Sequence, residues 1–183
     1  GNREFNTAAR IAEILREMGL DPQTGIAHTG VVAVIEGGQP GPMVALRADI
    51  DALPVREQTG LPFASTAKGE YRGEEVDVMH ACGHDAHIAM LLGAARVLTD
   101  VKDDLAGSVM LIFQPAEEGP PPGEKGGASL MLEEGIFEEA MPEAVFGIHV
   151  GISTPGGQIA VRPGPLMAAA DRYQITDSNG LLL

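Results

Sequence analysis

The sequence predicts an α/β protein in which helices pack in a layer against a central sheet. Short β-branched segments that suit strands alternate with longer segments in which apolar residues recur at helical spacing. The chain has 183 residues, of which 44% are hydrophobic, and this is enough to bury a core. Residues that can carry chemistry follow the predicted strands, which is where open α/β sheets gather their sites.

The predicted elements follow one another in a regular order. An amphipathic helix covers 6–20, with Asn6 or Thr7 as its cap and Gly19 as its stop. The helix predicted at 83–98 is apolar nearly all round, so we expect it to be well buried. Strands are predicted at 30–35, 42–49, 108–113, 144–150 and 158–161, with another beginning at 172–176, and a short helix at 128–134.

Charge and composition exclude several classes of protein. The 12 Lys and Arg against 26 Asp and Glu give a net charge of −14, which argues against nucleic acid and anionic membranes as partners. The one cysteine cannot form an internal disulfide. No apolar run reaches the roughly 18 residues of a membrane span, and no secretory signal is visible. We therefore expect a cytoplasmic protein.

The segment 79–87 holds three of the five histidines and the only cysteine. Thiolate and imidazole are preferred ligands of zinc-like ions, and Gly83 would let Cys82 and His84 turn toward one centre. The alternative is a buried cysteine beside histidines that only form hydrogen bonds. Both interpretations stay open on the residues alone.

Two adjacent glutamates follow the strand predicted at 108–113. Pro115 ends the strand ladder, so Glu117 and Glu118 lie in the loop beyond it. One carboxylate could bind a metal ion while its neighbour acts as a base toward a water molecule. The alternative is a solvated acidic turn, as at the other Glu-Glu pairs of the chain.

Three further positions carry candidate groups. Asp49 and Asp51 stand two residues apart. They could bind a ligand directly, orient another group that binds it, or form a turn at the end of a strand. His149 lies at the end of a predicted apolar strand, where a histidine is commonly a hydrogen-bonded core residue. His28 is predicted to be a loop residue before a strand.

Five motifs stand in one order along the chain: Arg47–Pro54, His80–Asp85, Gln114–Gly119, Gly147–Val150 and Arg162–Ala168. Together they resemble the amidohydrolase branch of the carboxypeptidase G and aminoacylase clan of metallopeptidases, which includes hippurate hydrolase and N-acyl-L-amino-acid amidohydrolases. The resemblance implies a zinc-exopeptidase-like catalytic domain, with three α/β/α layers around a mixed sheet. It also implies metal-dependent hydrolysis of the amide bond of N-acyl amino acids.

The resemblance assigns a role to each candidate residue. It implies two divalent ions, Zn²⁺ or Mn²⁺ with Co²⁺ or Ni²⁺ as alternatives, and Glu117 as the general base. The implied metal ligands are Cys82, His84, Glu118 and His149. Supporting roles around these ligands fall to Asp49, Asp51, His80, Asp85 and His87.

The resemblance also implies that the chain is part of a longer enzyme. Residues 1–176 match part of a catalytic metal-binding domain, and 177–183 form an irregular tail where a lid and dimerisation domain would begin. A further histidine ligand would lie outside the chain. We therefore expect the 183 residues alone to be weakly active or inactive, and the parent enzyme to be a homodimer or homotetramer through the lid.

Three alternatives remain from the sequence. One is a truncated metal-binding fragment without turnover, and another is a small dipeptidase or carboxypeptidase of the same clan. The last is a cysteine hydrolase that uses Cys82 with a nearby histidine. It is the weakest, because it leaves Glu117, Glu118 and His149 without a role.

Overall fold

The computed structural model describes residues 1–165, which belong to two compact units. The first unit is Gly1–Val150, and the second begins at Gly151. The described part of the second unit, 151–165, consists of turns and irregular chain. In order, the first unit contains α1 (Phe5–Glu17), β1 (Gln23–Ile26), β2 (Gly30–Glu36), β3 (Gln39–Asp49), β4 (Lys68–Tyr71), β5 (Glu74–Asp77), α2 (His84–Asp100), a 3-10 turn at Lys102–Asp104, β6 (Ala106–Gln114), α3 (Gly127–Glu133) and β7 (Val145–Gly147).

The central sheet has five strands in the order β1-β2-β6-β3-β7. β2 runs antiparallel to β1 and β6, whereas β3 runs parallel to β6 and β7, so the sheet is mixed. Asp49 pairs with Gln114, which makes the carboxyl ends of β3 and β6 coincide. The loops that follow these two strands therefore leave the sheet side by side.

Helices cover both faces of the sheet, which confirms the predicted three-layer α/β/α arrangement. Alternate residues of a strand point to opposite faces, and β6 separates its apolar residues in this way. Leu111 and Phe113 pack in one core with α1 and α2, while Met110 and Ile112 pack in a second core with Met131 of α3.

The prediction for the start of α1 is wrong in its cap. The helix begins at Phe5, so Glu4 occupies the cap position, and no side chain caps the helix there. Asn6 and Thr7 lie inside the first turn, where their side chains cannot act as the cap. The end is as predicted, because Gly19 adopts φ +82° just beyond the last turn.

The expectation that α2 is well buried is also wrong. Its buried residues are His84, His87, Leu91 and Ala95, which follow one another at three or four positions and form a single face. Val97, on another face, is 62% exposed. A helix that covers one face of a sheet buries only the stripe that touches the sheet, even where the other faces are apolar.

The strand predicted at 158–161 is absent from the described part of the second unit. Its apolar residues Ile159 and Val161 are both exposed. An apolar, β-branched run becomes a strand only where a neighbour completes its hydrogen-bond ladder, and the described residues 151–165 supply none. The strand predicted from 172 and the tail at 177–183 lie outside the described residues.

The antiparallel hairpin of β4 and β5 was not predicted. Its strands have the sequences KGEY and EEVD, and these segments are charged and show no clear alternation of apolar residues. Arg72 and Gly73 join them with positive φ at both positions, as tight hairpin turns require, but Arg-Gly is a weak sequence signal for such a turn.

Among the described residues, no helix combines the length and the apolar character that a membrane span needs.

Phe113 gives a test of the core. Its side chain is 0% exposed at the centre of the sheet, so Phe113→Ala should lower the free energy of unfolding by ~3–5 kcal/mol. Urea denaturation of the purified protein measures the loss. Phe63→Ala is the matched control, since that ring is 79% exposed and its loss should change the free energy by less than ~0.5 kcal/mol. Equal losses in the two variants would contradict the assigned core.

Candidate metal centre

The residues that can bind a metal ion lie together at the carboxyl-terminal edge of β3 and β6. Asp49 is the last residue of β3, Glu117 and Glu118 follow β6 by a short loop, and His84 is the first residue of α2. His149 follows β7. Ligand atoms within 4.8 Å of one another occur in the groups Cys82–His84–His149, His84–Glu117–Glu118 and Asp49–His84–His87. The predicted ligands thus meet at one place.

Gly83 makes the turn that the sequence predicted between Cys82 and His84. Its φ is +80°, a left-handed conformation that favours glycine. A side chain there would also collide with Val150, because a Cβ atom would lie 2.4 Å from Cγ2 of that residue. The turn places Cys82 Sγ 3.5 Å from Nε2 of His149.

His84 is buried and has one ring nitrogen without a hydrogen-bond partner. Nδ1 lies 2.8 Å from the main-chain carbonyl of Asp51 and donates its hydrogen to it. Nε2 therefore carries the lone pair, and it is a buried atom with no hydrogen bond. A buried polar atom without a partner is unfavourable, and a histidine that donates through one nitrogen and offers the other is the usual arrangement at a metal.

Carboxylates surround this nitrogen. Oδ2 of Asp49 lies 3.7 Å from Nε2 of His84, and Oε2 of Glu117 lies 3.9 Å from it. These contacts bring two carboxylates to within 4 Å of the nitrogen. A divalent cation would give all of these atoms a partner, and the donor set of nitrogen, sulfur and carboxylate oxygen suits such an ion.

His149 is oriented for the same centre. Its Nδ1 lies 2.6 Å from the Val150 carbonyl, which accepts its hydrogen and leaves the lone pair on Nε2, toward Cys82. The side chain is exposed, so the interpretation of His149 as a core residue is wrong. It lies beyond β7, which is shorter than the predicted strand, and its ring contacts the ring of His87, with 4.6 Å between the ring centroids.

His87 has hydrogen bonds at both ring nitrogens. Nδ1 lies 2.6 Å from Oδ1 of Asp49, and Nε2 accepts the main-chain N–H of Val150 at 2.9 Å. With both nitrogens used, His87 is placed to hold Asp49 and the chain beside His149 rather than to bind a metal ion.

Asp49 is buried, and positive partners keep it ionised. Burial raises its pKa, but the hydrogen bond from His87 and the charge of Arg47 outweigh burial, and the net pKa is lowered. Arg47 Nη1 lies 2.8 Å from Oδ2, and its Nε donates to Gln114 Oε1 at 2.9 Å. The sequence did not single out Arg47 or Gln114, because a polar residue inside a strand carries no signal of its partner across the ladder.

Asp51 links the helix to the glutamate loop. Its main-chain carbonyl accepts from His84, and its Oδ2 accepts the main-chain N–H of Glu118 at 3.0 Å. The residue is buried. One aspartate therefore sets both the ring orientation of His84 and the position of the loop.

The Cys82 thiol holds its proton tightly. Burial raises its pKa, the neighbouring Glu118 and Glu117 carboxylates raise it further, and together they bring it to about 11. A nucleophilic cysteine needs a lowered pKa, so this environment argues against a cysteine hydrolase. A metal ion would bind the thiolate and release the proton.

The remaining predicted residues lie around the centre. Burial lowers the pKa of His80, and its Nδ1 is buried without a hydrogen bond. His80 and Asp85 line a cavity of about 580 Å³ beside the metal-capable groups and belong to none of those groups. His28 is an exposed loop residue, as predicted.

Several known proteins resemble this chain in sequence. A profile of peptidase family M20/M25/M40 matches residues 45–180. Thermostable carboxypeptidase 1 of Saccharolobus solfataricus is 48% identical over 174 residues, which cover 94% of this chain and 41% of that protein. The N-acetyl-L-cysteine deacetylase of Bacillus subtilis is 45% identical over 172 residues, which cover 94% of this chain and 38% of that protein.

A solved structure shows the same fold. It is a Bacillus subtilis protein described as a dinuclear metal binding peptidase, with a TM-score of 0.76 and 41% identity, and the match covers 89% of this chain and 42% of that one. The chain spans about two fifths of the length of the relatives it matches.

His84 provides the first test of the centre. His84→Ala removes the buried Nε2 that faces the carboxylates, so the protein should lose most of its bound transition metal. Mass spectrometry of protein loaded with Zn²⁺ and passed through a desalting column measures the metal content. His28→Ala is the control and should keep all of it, since His28 bonds the Lys125 carbonyl and belongs to none of the metal-capable groups. An unchanged metal content in His84→Ala would contradict the site.

Asp51 provides the second test. Asp51→Ala removes the acceptor for the Glu118 N–H but leaves the main-chain carbonyl that holds His84. Loss of such a partner typically weakens metal binding by ~10–100-fold, and we expect a loss in that range. Chelator competition measures the affinity, with the exposed Asp103→Ala as the control. If both variants bind metal alike, Asp51 does not position the loop.

Proposed function

Because the chain belongs to peptidase family M20/M25/M40, we propose that the protein containing it is a metal-dependent hydrolase of N-acyl amino acids. The bond cleaved is the amide between the acyl group and the amino acid, with hippurate and N-acetyl amino acids as candidate substrates. The relative named N-acetyl-L-cysteine deacetylase supports this substrate class. One observation carries the proposal: the unpartnered Nε2 of buried His84 faces Glu117 within 3.9 Å.

The proposed ligands are Cys82, His84, Glu118 and His149. The related dinuclear structure supports two ions, and a further ligand would come from outside this chain. When bound, divalent ions lower the pKa of a coordinated water molecule and polarise the substrate carbonyl. The three metal-capable groups share His84, which supports a central position for that residue in the proposed cluster.

Glu117 is the proposed general base. Its side chain is 41% exposed, whereas the nearby Asp49 and His84 are almost fully buried, so Glu117 can reach both the cluster and an incoming substrate. In the proposed reaction, its carboxylate takes a proton from the attacking water molecule. It then delivers that proton to the nitrogen of the leaving amino acid.

The surrounding residues orient the proposed ligands. Asp51 holds His84 and the loop of Glu118, while His87 holds Asp49 and the main chain after His149. His80 and Asp85 lie at the adjoining cavity, and we assign them supporting roles there. The proposed reaction therefore depends on buried side chains that orient the proposed metal ligands through hydrogen bonds.

A carboxypeptidase or dipeptidase is the second candidate, favoured by the 48% identity to a thermostable carboxypeptidase. A dipeptidase substrate has a free amino group next to the bond, a carboxypeptidase substrate is a longer peptide, and an N-acyl amino acid carries a simple acyl group there. Hydrolysis of N-acetyl amino acids and hippurate, compared with that of dipeptides and longer peptides, separates the candidates. Release of amino acid from the acylated substrates alone supports the proposal, and release from the peptides alone supports the second candidate.

The remaining expectations concern the whole protein. We propose that residues 1–176 are part of its catalytic domain, that it is a homodimer or homotetramer, and that the isolated 183 residues have weak activity or none. The choice among Zn²⁺, Mn²⁺, Co²⁺ and Ni²⁺ is set by availability as much as by this ligand set. A cytoplasmic location stays a prediction.

Glu117 provides the test of mechanism. Glu117→Gln keeps the size of the side chain but cannot accept a proton, so kcat should fall by about 10²–10⁴-fold while metal stays bound. Amino acid release from an N-acetyl substrate and metal analysis of the same sample measure the two effects. The exposed Glu75→Gln serves as control. Near-normal turnover by Glu117→Gln would remove Glu117 from the proposed role.

A further inference from the structure

Glu4 is a buried carboxylate that none of the roles above explains. It occupies the cap position of α1, yet its side chain caps nothing and is 6% exposed. Burial of a carboxylate is unfavourable unless its oxygens find partners, so its contacts indicate what it does.

Both oxygens of Glu4 point away from its own helix. Oε2 accepts the hydroxyl hydrogen of Thr29 at 2.5 Å, in the turn before β2. Oε1 accepts the main-chain N–H of Ala116 at 3.4 Å. Ala116 directly precedes Glu117, so the carboxylate reaches the loop that carries the proposed base.

Ala116 is in a conformation that needs support. Its φ is +49°, in the left-handed region that a residue with a Cβ atom seldom adopts. Its carbonyl accepts the N–H of Gly119 at 3.2 Å and closes a tight turn around the two glutamates. The direction in which Glu117 and Glu118 leave the chain depends on this turn.

The same loop is held from two sides. Asp51 accepts the N–H of Glu118, and Glu4 accepts the N–H of Ala116, so carboxylates bind the backbone on either side of Glu117. Asn2 adds a contact farther along, since its Nδ2 donates to the Lys125 carbonyl at 2.9 Å. The segment before α1 therefore holds the loop from Ala116 to Lys125.

We propose that Glu4 is a positioning residue that directs Glu117 and Glu118 through the N–H of Ala116. Its link to turnover rests on the proposed function, whereas its link to metal binding does not. Removal of the carboxylate frees the Ala116 turn and lets the two glutamates move relative to His84. Replacement by glutamine keeps an oxygen acceptor of the same reach.

The experiment compares Glu4→Ala, Glu4→Asp and Glu4→Gln in the full-length, metal-loaded enzyme. Glu4→Asp keeps the charge but is too short to reach Ala116, and it keeps the test available if Glu4→Ala does not fold. Ile11→Ala is the control: it creates a cavity in the same helix, in a core cluster that includes no residue of the loop 116–125. The readouts are melting temperature, Zn²⁺ affinity by chelator competition, and kcat and KM for an N-acetyl amino acid.

Glu4→Ala and Glu4→Asp should each lower Zn²⁺ affinity and kcat by ~10-fold or more, as loss of a partner that orients a ligand does. KM should change less than kcat, because the interaction acts on the reacting groups rather than on uniform substrate binding. Glu4→Gln should restore most of both values. Ile11→Ala should lower the melting temperature and leave metal affinity and kcat unchanged.

Two results would overturn the proposal. One is wild-type metal affinity and kcat in both Glu4→Ala and Glu4→Asp. The other is an equal fall in Ile11→Ala at a matched loss of melting temperature, which would make Glu4 a stabilising residue only. If the wild-type enzyme does not hydrolyse N-acyl amino acids but Glu4→Ala still weakens Zn²⁺ binding, the proposed function fails and the positioning of the loop stands.

Discussion

The parallel pairing of β3 with β6 is the constraint on which the site depends. Asp49 and Gln114 are partners in that ladder, so the two strands end at the same level. The chain after β3 supplies Asp51 and the chain after β6 supplies Glu117 and Glu118, and these loops meet because the strands lie side by side. Apolar side chains on both faces hold the pairing in register, since a slip of one residue would turn the buried residues outward.

A network of buried hydrogen bonds then converts this edge into a site. Asp51 holds His84 and Glu118, His87 joins Asp49 to the chain beside His149, and Glu4 holds Ala116. Within this network the Nε2 of His84 has no hydrogen-bond partner. Buried polar groups are nearly always satisfied, so this nitrogen, which also faces the carboxylates of Asp49 and Glu117, marks the direction in which a cation is expected.

Much of the fold could be predicted, because strands β2, β3 and β6 and helices α1 and α2 carry strong periodic signals. The failures have physical reasons. The β4–β5 hairpin is too polar to show a pattern, and the apolar run at 158–161 has no partner strand within the described residues. The predicted ligands do come together, whereas Glu4 was not recognised, because an acidic residue at a helix start normally interacts with its own helix.

The sequence by itself determined the α/β class and the residue types that can bind a metal ion, because periodicity and side-chain chemistry are local properties. Only the tertiary structure decided which of these residues have hydrogen-bond partners and which have an atom left open for a metal ion. His84 and His87 lie on one face of α2 with similar burial, yet one has a free lone pair and the other is bonded at both nitrogens. That difference comes from Asp49, Asp51 and Val150, whose positions relative to the helix depend on long-range pairing of strands and loops.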